Sequence, residues 1–161
     1  RFEIRLFSLY IDDTCLPAVQ KHNWMRRMRP VAEKWSDQEL EARLAAVPTE
    51  ERRKVWYKMA RDPYTDEELQ SALNVLIGMA ERIEQGAARD GWIVGKSYSL
   101  ADIAAVPYVR RLEEIAPDEV SAKNRPALAD WWARIQARPA YPKALIGGYD
   151  EQGDPAYKPA G

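Results

Sequence analysis

Cysteine and histidine are almost missing from this 161-residue chain, which has one of each, Cys15 and His22. A single cysteine excludes an internal disulfide and fits a reducing, cytoplasmic compartment. One Cys and one His cannot build a zinc centre of ordinary ligand type, so no metal site is expected. Charge of one sign is not in excess either: Lys+Arg number 24 against Asp+Glu 25. That balance gives no electrostatic footing for nucleic acid or an anionic membrane. No apolar run approaches the roughly 20 residues of a transmembrane helix, and no signal peptide is visible. Neither an alternating strand pattern nor an internal repeat stands out. What the chain has is apolar content, 46% of its residues, enough for one domain with a real core.

The densest local signal is Gly91 to Ile103, GWIVGKSYSLADI. Ser99 has the position of an N-cap, its hydroxyl placed to accept from the backbone N–H of Asp102. Asp102 falls at the third helical position, where its carboxylate reaches back to the N–H of Ser99. Tyr98 and Ile103 have the spacing of a hydrophobic staple. The Ser99 hydroxyl beside a carboxylate does not read as catalytic machinery, because every capping requirement is met. Loss of this cap predicts a cost of about 0.5–2 kcal/mol and slower folding.

Helical periodicity runs along the rest of the chain. Residues 1 to about 28 read as one long helix. Phe2, Leu6, Leu9, Tyr10 and Leu16 lie on one side, and Ile4, Phe7, Ile11, Cys15 and Ala18 on another. Such a helix needs cover on more than one side, and Pro17 should kink it. It begins mid-pattern at Arg1, which reads as a fragment of a longer polypeptide. Segment 29–64 is punctuated by Pro30, Pro48 and Pro63. Ser36–Glu39 opens one short helix there as a capping box, and Thr49 has the position to cap a second, carrying Val55, Trp56 and Met59. Thr65–Glu68 opens the clearest amphipathic helix, with Leu69, Leu73, Leu76, Ile77, Ala80 and Ile83 on one stripe and an end near Gly86. The helix after Ser99 contains Pro107, which must bend it or be offset by packing. Pro126 suits the first position of the next helix, whose stripe is Leu128, Trp131, Trp132 and Ile135. A last short helix is expected over Tyr141–Ile146. Residues 147–161 have too little apolar content to bury and are expected to form a flexible tail.

Several motifs occur in a fixed order: Trp92–Gly95, Ser99–Asp102, Pro126–Leu128–Trp131 and Ala137–Arg138–Pro139. Together they resemble the all-helical C-terminal domain of cytosolic glutathione transferases, with Lys96 standing where that family often has Asp. The words SDQELEARLAAVP resemble the bacterial β-aryl-etherase-type subgroup. The resemblance implies an all-α helical bundle over 1–146, an inserted helical segment at 29–64, and a thioredoxin-like N-terminal domain outside this chain. It implies glutathione as co-substrate, bound mainly by that other domain, whose Ser, Cys or Tyr would activate the thiolate. No catalytic residue is then expected here, and the isolated 161 residues are expected to be inactive. This chain would offer the pocket for a hydrophobic electrophile and half of a homodimer seam.

On that resemblance the substrate-binding candidates are Tyr10, Thr14, Trp24 and Tyr108. Tyr10 and Thr14 are four residues apart, with Trp24 at the helix exit. Core or seam packing stands beside that role for each of them. Cys15 reads as a small inert hydrophobe, His22 as a surface residue, and Arg26-Arg27-Met28-Arg29 as a solvated basic patch. A non-catalytic interaction module of the same helical type is the rival function.

Overall fold

A computed structural model describes residues 1–144, and the expected 147–161 tail lies outside them. Every regular element among the described residues is helical. The order is α1 (Phe2–Tyr10), a π-helical turn (Ile11–Cys15), α2 (Leu16–Arg27), α3 (Arg29–Ala32), α4 (Asp37–Ala46) and α5 (Glu50–Arg61). Then come α6 (Asp66–Asp90), α7 (Leu100–Ile115), a 3₁₀ turn (Pro117–Val120), α8 (Pro126–Gln136) and α9 (Ala140–Ala144). They form two compact units. One runs from Leu9 to Ile77, and the other joins Arg1–Ser8 to the chain from Gly78 onward.

The opening stretch is helical as expected, but its irregularity lies upstream of Pro17. Leu16 N–H donates to the carbonyl of Ile11, five residues back. Proline has no N–H to give and its ring crowds the preceding turn. A widened π turn takes up that conflict and leaves Pro17 in the first turn of α2, where a missing donor costs nothing. Phe7, Ile11, Cys15 and Ala18 are buried, whereas Phe2, Leu6 and Leu9 remain 77%, 55% and 54% exposed. The expected cover on two sides is present on one.

Within the Leu9–Ile77 unit, α3 to α5 gather a small core of Ala32, Leu40, Met59 and Ala60. Ser36 caps α4 as its box predicts: Glu39 N–H donates to Ser36 Oγ at 3.2 Å and Ser36 N–H to Glu39 Oε2 at 2.8 Å. Those bonds hold the Glu39 carboxyl below its ordinary pKa. The Thr65–Glu68 box is closed in the same way, at 2.9 and 3.2 Å. Thr49 departs from expectation, since its side chain makes no capping bond. Glu50 and Glu51 in the first turn of α5 face the helix dipole instead. Arginines close this arm through backbone carbonyls: Arg29 donates to Met59 O at 2.9 Å and Arg53 Nε to Val47 O at 2.8 Å. Arg61 donates to Trp35 O at 2.8 Å and to Asp37 Oδ1 at 2.7 Å.

In the second unit, α6 does not end near Gly86 but continues to Asp90. The helix stops at Gly91, whose φ of +85° is open to glycine at low cost. Gly86 has another reason to be glycine: a Cβ there would lie 2.3 Å from the carbonyl oxygen of Ile93. Helix α7 passes unbroken through Pro107, with Ala105, Tyr108, Val109 and Leu112 buried around it. Helix α8 starts at Pro126 and buries Leu128, Trp131, Trp132 and Ile135, the stripe its spacing predicts. The portion of α9 expected beyond Ala144 lies outside the described residues.

The N-terminus of α8 is tied to α6 by one carboxylate. Glu84 accepts from Ala127 N–H at 3.3 Å and from Leu128 N–H at 2.6 Å. These are two of the four donors that a helix start leaves without a partner. Glu84→Ala is expected to cost about 1–2 kcal/mol. Amide hydrogen exchange at Ala127 and Leu128 should accelerate while α7 stays protected. Unchanged exchange at both amides would remove this role.

Candidate functional site

Two clusters hold the residues singled out by sequence, one in each unit. In the Leu9–Ile77 unit, Tyr10, Thr14 and Trp24 lie along the π turn and α2. The π turn Ile11–Cys15 begins directly after Tyr10 and contains Thr14. Tyr10 is half-buried and Thr14 is exposed. His22, expected at the surface, is half-buried. Cys15 is fully buried, as an inert side chain would be.

Trp24 has surroundings that its position in sequence did not show. Its ring meets Trp56 of α5 edge to face, with centroids 5.3 Å apart at 85°. Trp56 in turn lies 5.3 Å from Trp35, inclined by 35°. The Arg43 guanidinium lies over the Trp35 ring, 4.4 Å from its centroid. Offset and edge-on geometries such as these suit the ring quadrupoles, and the guanidinium adds a cation–π contact. Tyr64 sits beside this group with Lys58 4.9 Å from its ring centroid. Burial pushes the Tyr64 hydroxyl above its ordinary pKa. Three tryptophans drawn from α2, the α3–α4 link and α5 thus form one stack. No local pattern marks it, because the spacings of 11 and 21 residues reflect tertiary packing rather than helical period.

In the other unit the decisive group is Asp102, which is fully buried. Oδ2 accepts from Ser99 N–H at 2.8 Å and Ser99 Oγ at 3.0 Å. Oδ1 accepts from Ile93 N–H at 3.2 Å and from Trp131 Nε1 at 2.9 Å. The Ser99 hydroxyl also accepts from Ala101 N–H at 3.3 Å. All four lone-pair positions of the carboxylate are therefore occupied. The capping box of the sequence is present, and it is also the bolt joining the 91–98 turn, α7 and α8. Its saturation leaves it no acceptor for proton transfer, which agrees with a structural role. Tyr98 has partners outside the helix start. Its ring meets Trp92 at 5.4 Å and Arg138 at 3.6 Å, and Ile103 stays 49% exposed. Tyr108 is 8% exposed and belongs to the core of α7.

A surface groove of about 680 Å³ opens between α4 and α5, bordered by Leu40, Leu44, Tyr57, Arg53 and Arg61. None of the four substrate-binding candidates lines it. Among the described residues no group of three or more His, Cys, Asp or Glu is placed to hold a metal ion. None of their helices is long and apolar enough to cross a membrane.

Residues 40–139 match the family described as Glutathione S-transferase, C-terminal domain. The chain belongs to the glutathione S-transferase family. Protein LigF of Sphingobium sp. (strain NBRC 103272 / SYK-6) is 28% identical over 144 residues, covering 87% of this chain. The glutathione S-transferase TCHQD of Arabidopsis thaliana is 26% identical over 115 residues, 67% of this chain. The chain spans 56% of LigF and 42% of TCHQD. The crystal structure of the beta-etherase LigF superposes with a TM-score of 0.78, covering 90% of this chain and 61% of that one, at 28% identity. A helical bundle of the glutathione transferase C-terminal type is thus the fold of this chain, and the transferase helices include α4 to α8.

Proposed function

We propose that this chain is the electrophile-binding, dimer-forming half of a glutathione transferase that cleaves aryl ethers. The glutathione thiolate attacks the carbon bearing the ether oxygen. A C–S bond forms, the C–O bond breaks, and the phenolate leaves with the electron pair. Thiolate activation falls to a thioredoxin-like domain outside these 161 residues, which also holds most of the glutathione. Tyr10, Thr14 and Trp24, all in the Leu9–Ile77 unit, are the residues proposed to meet the hydrophobic electrophile. The exposed Phe2, Leu6 and Leu9 on α1 give the partner domain or second protomer an apolar surface to cover.

The observation that carries the aryl-ether reading is the extent of the likeness to the beta-etherase. The superposition covers 90% of the chain at 28% identity. That likeness supports the proposed electrophile class.

The test is turnover of a β-aryl ether by the full-length protein with glutathione, followed by phenol release and the mass of the thioether product. Equal turnover without glutathione would defeat the proposal. So would turnover by the purified 161 residues, since nothing in them is proposed to activate a thiol. Glutathione binding without turnover of any electrophile would favour the interaction-module reading.

A further inference from the structure

The arm formed by α4 and α5 is joined to α2 by an aromatic stack that ends on a proposed substrate-wall residue. Trp24 contacts Trp56 at 5.3 Å, edge to face. Trp56 is itself held by Trp35 at 5.3 Å, and Trp35 by Arg43 at 4.4 Å. The base of the arm is fixed by Arg29 on Met59 O and by Arg61 on Trp35 O and Asp37. Met59, three residues along α5 from Trp56 and on the same side of the helix, is fully buried. Trp56 is therefore mounted on a rigid segment and cannot turn without disturbing Met59 and Trp35. Trp24 packs against the same small core from the side of α2. It sits near the C-terminal end of α2, and its ring leans on Trp56.

We propose that Trp56 is a positioning residue that sets the orientation of the Trp24 ring, so that the α4–α5 arm tunes which electrophiles the wall accepts. This rests on the reading above that Trp24 meets the electrophile. A ring held edge-on by a neighbour presents a fixed width to the pocket. Removing the neighbour lets the ring tip and changes which bulk fits. Pockets of this apolar kind discriminate by modest factors per contact, so the effect is a change in preference rather than a loss of chemistry.

The experiment uses the full-length protein carrying Trp56→Leu, Trp56→Phe or Trp24→Phe. The readout is the ratio of kcat/KM for an extended β-aryl ether to that for a compact chloronitrobenzene. Trp56→Leu should shift this ratio about tenfold, carried mainly by KM, and Trp56→Phe about threefold in the same direction. Near-ultraviolet circular dichroism should lose the contribution of the coupled indoles in each Trp56 variant, while the far-ultraviolet helical signal persists. An unchanged ratio in folded Trp56→Leu, with a shifted ratio in Trp24→Phe, overturns the positioning role and keeps Trp24 in the wall. An unchanged ratio in Trp24→Phe overturns the wall reading and this inference with it. Should Trp56→Leu fail to fold, Trp56→Phe decides alone: a shifted ratio supports the role and an unshifted one overturns it.

Discussion

Asp102→Ala is expected to destabilise the chain by about 3–5 kcal/mol, well beyond the loss of a helix cap. A cap alone is worth about 1 kcal/mol. Here the same carboxylate also receives Ile93 N–H and the Trp131 indole N–H. Both donors would be left buried without a partner, at about 1–3 kcal/mol each. Trp131 is itself fully buried, so water cannot readily take the place of the carboxylate. Asp102→Asn should not rescue the site. An amide carries one oxygen, and its NH2 would face either the Ser99 pair or the Ile93–Trp131 pair, all of them donors to the carboxylate. Denaturant unfolding measures the change, and the midpoint should fall with the slope m held. A loss under about 1 kcal/mol for Asp102→Ala would reduce this group to an ordinary cap.

Two glycines eight residues apart on α6 should respond to one substitution with opposite signs. At Gly86 an added methyl would lie 2.3 Å from Ile93 O and 3.0 Å from its carbonyl carbon, both backbone atoms. They move only if the 91–98 turn moves, and that turn is pinned by Asp102. Gly86→Ala should therefore cost about 2–3 kcal/mol, in the upper range of overpacking effects, despite the better helix propensity of alanine. At Gly78 nothing lies within 4 Å of the added carbon. Gly78→Ala should gain about 0.5–1 kcal/mol by restricting the unfolded chain. Thermal unfolding of the two variants side by side checks both signs. A Gly86→Ala chain as stable as the parent would mean that the turn is not held where the Asp102 bonds place it.

Where structure is dictated by neighbours in sequence, it was legible. The boxes at Ser36, Thr65 and Ser99, the α8 stripe from Leu128 to Ile135 and the long amphipathic α6 all follow from contacts within a turn or two. The ordered motifs placed the fold family, whose match over residues 40–139 bears that out. What stayed hidden depends on atoms distant in sequence. Gly86 resembles a helix end locally, and only the approach of Ile93 explains it. Thr49 has the right residue type for a cap, yet its side chain makes no such bond. The third and fourth bonds of Asp102 reach Ile93 and Trp131, nine and 29 residues away. The Trp24–Trp56–Trp35 stack has no period to read, so sequence offers Trp24 as a candidate at the helix exit without its aromatic partners. Pro17 was recognised as a disruption, but the widened turn that accommodates it is a backbone choice that residue types do not specify.

The three arginine contacts of the α3–α5 arm have a consequence for how its sequence can drift. Arg29, Arg53 and Arg61 aim guanidinium N–H groups at main-chain oxygens of Met59, Val47 and Trp35. A carbonyl is present whatever residue carries it, so these hydrogen bonds place no demand on the receiving side chain, although Met59 and Trp35 are held by their own packing. The arginines cannot be exchanged so freely: lysine has no planar fork to reach a carbonyl and a carboxylate together, as Arg29 and Arg61 do, or two carbonyls, as Arg53 does. Neutral variation in this arm should accumulate at Val47, whose backbone alone serves its arginine, and stall at the arginines.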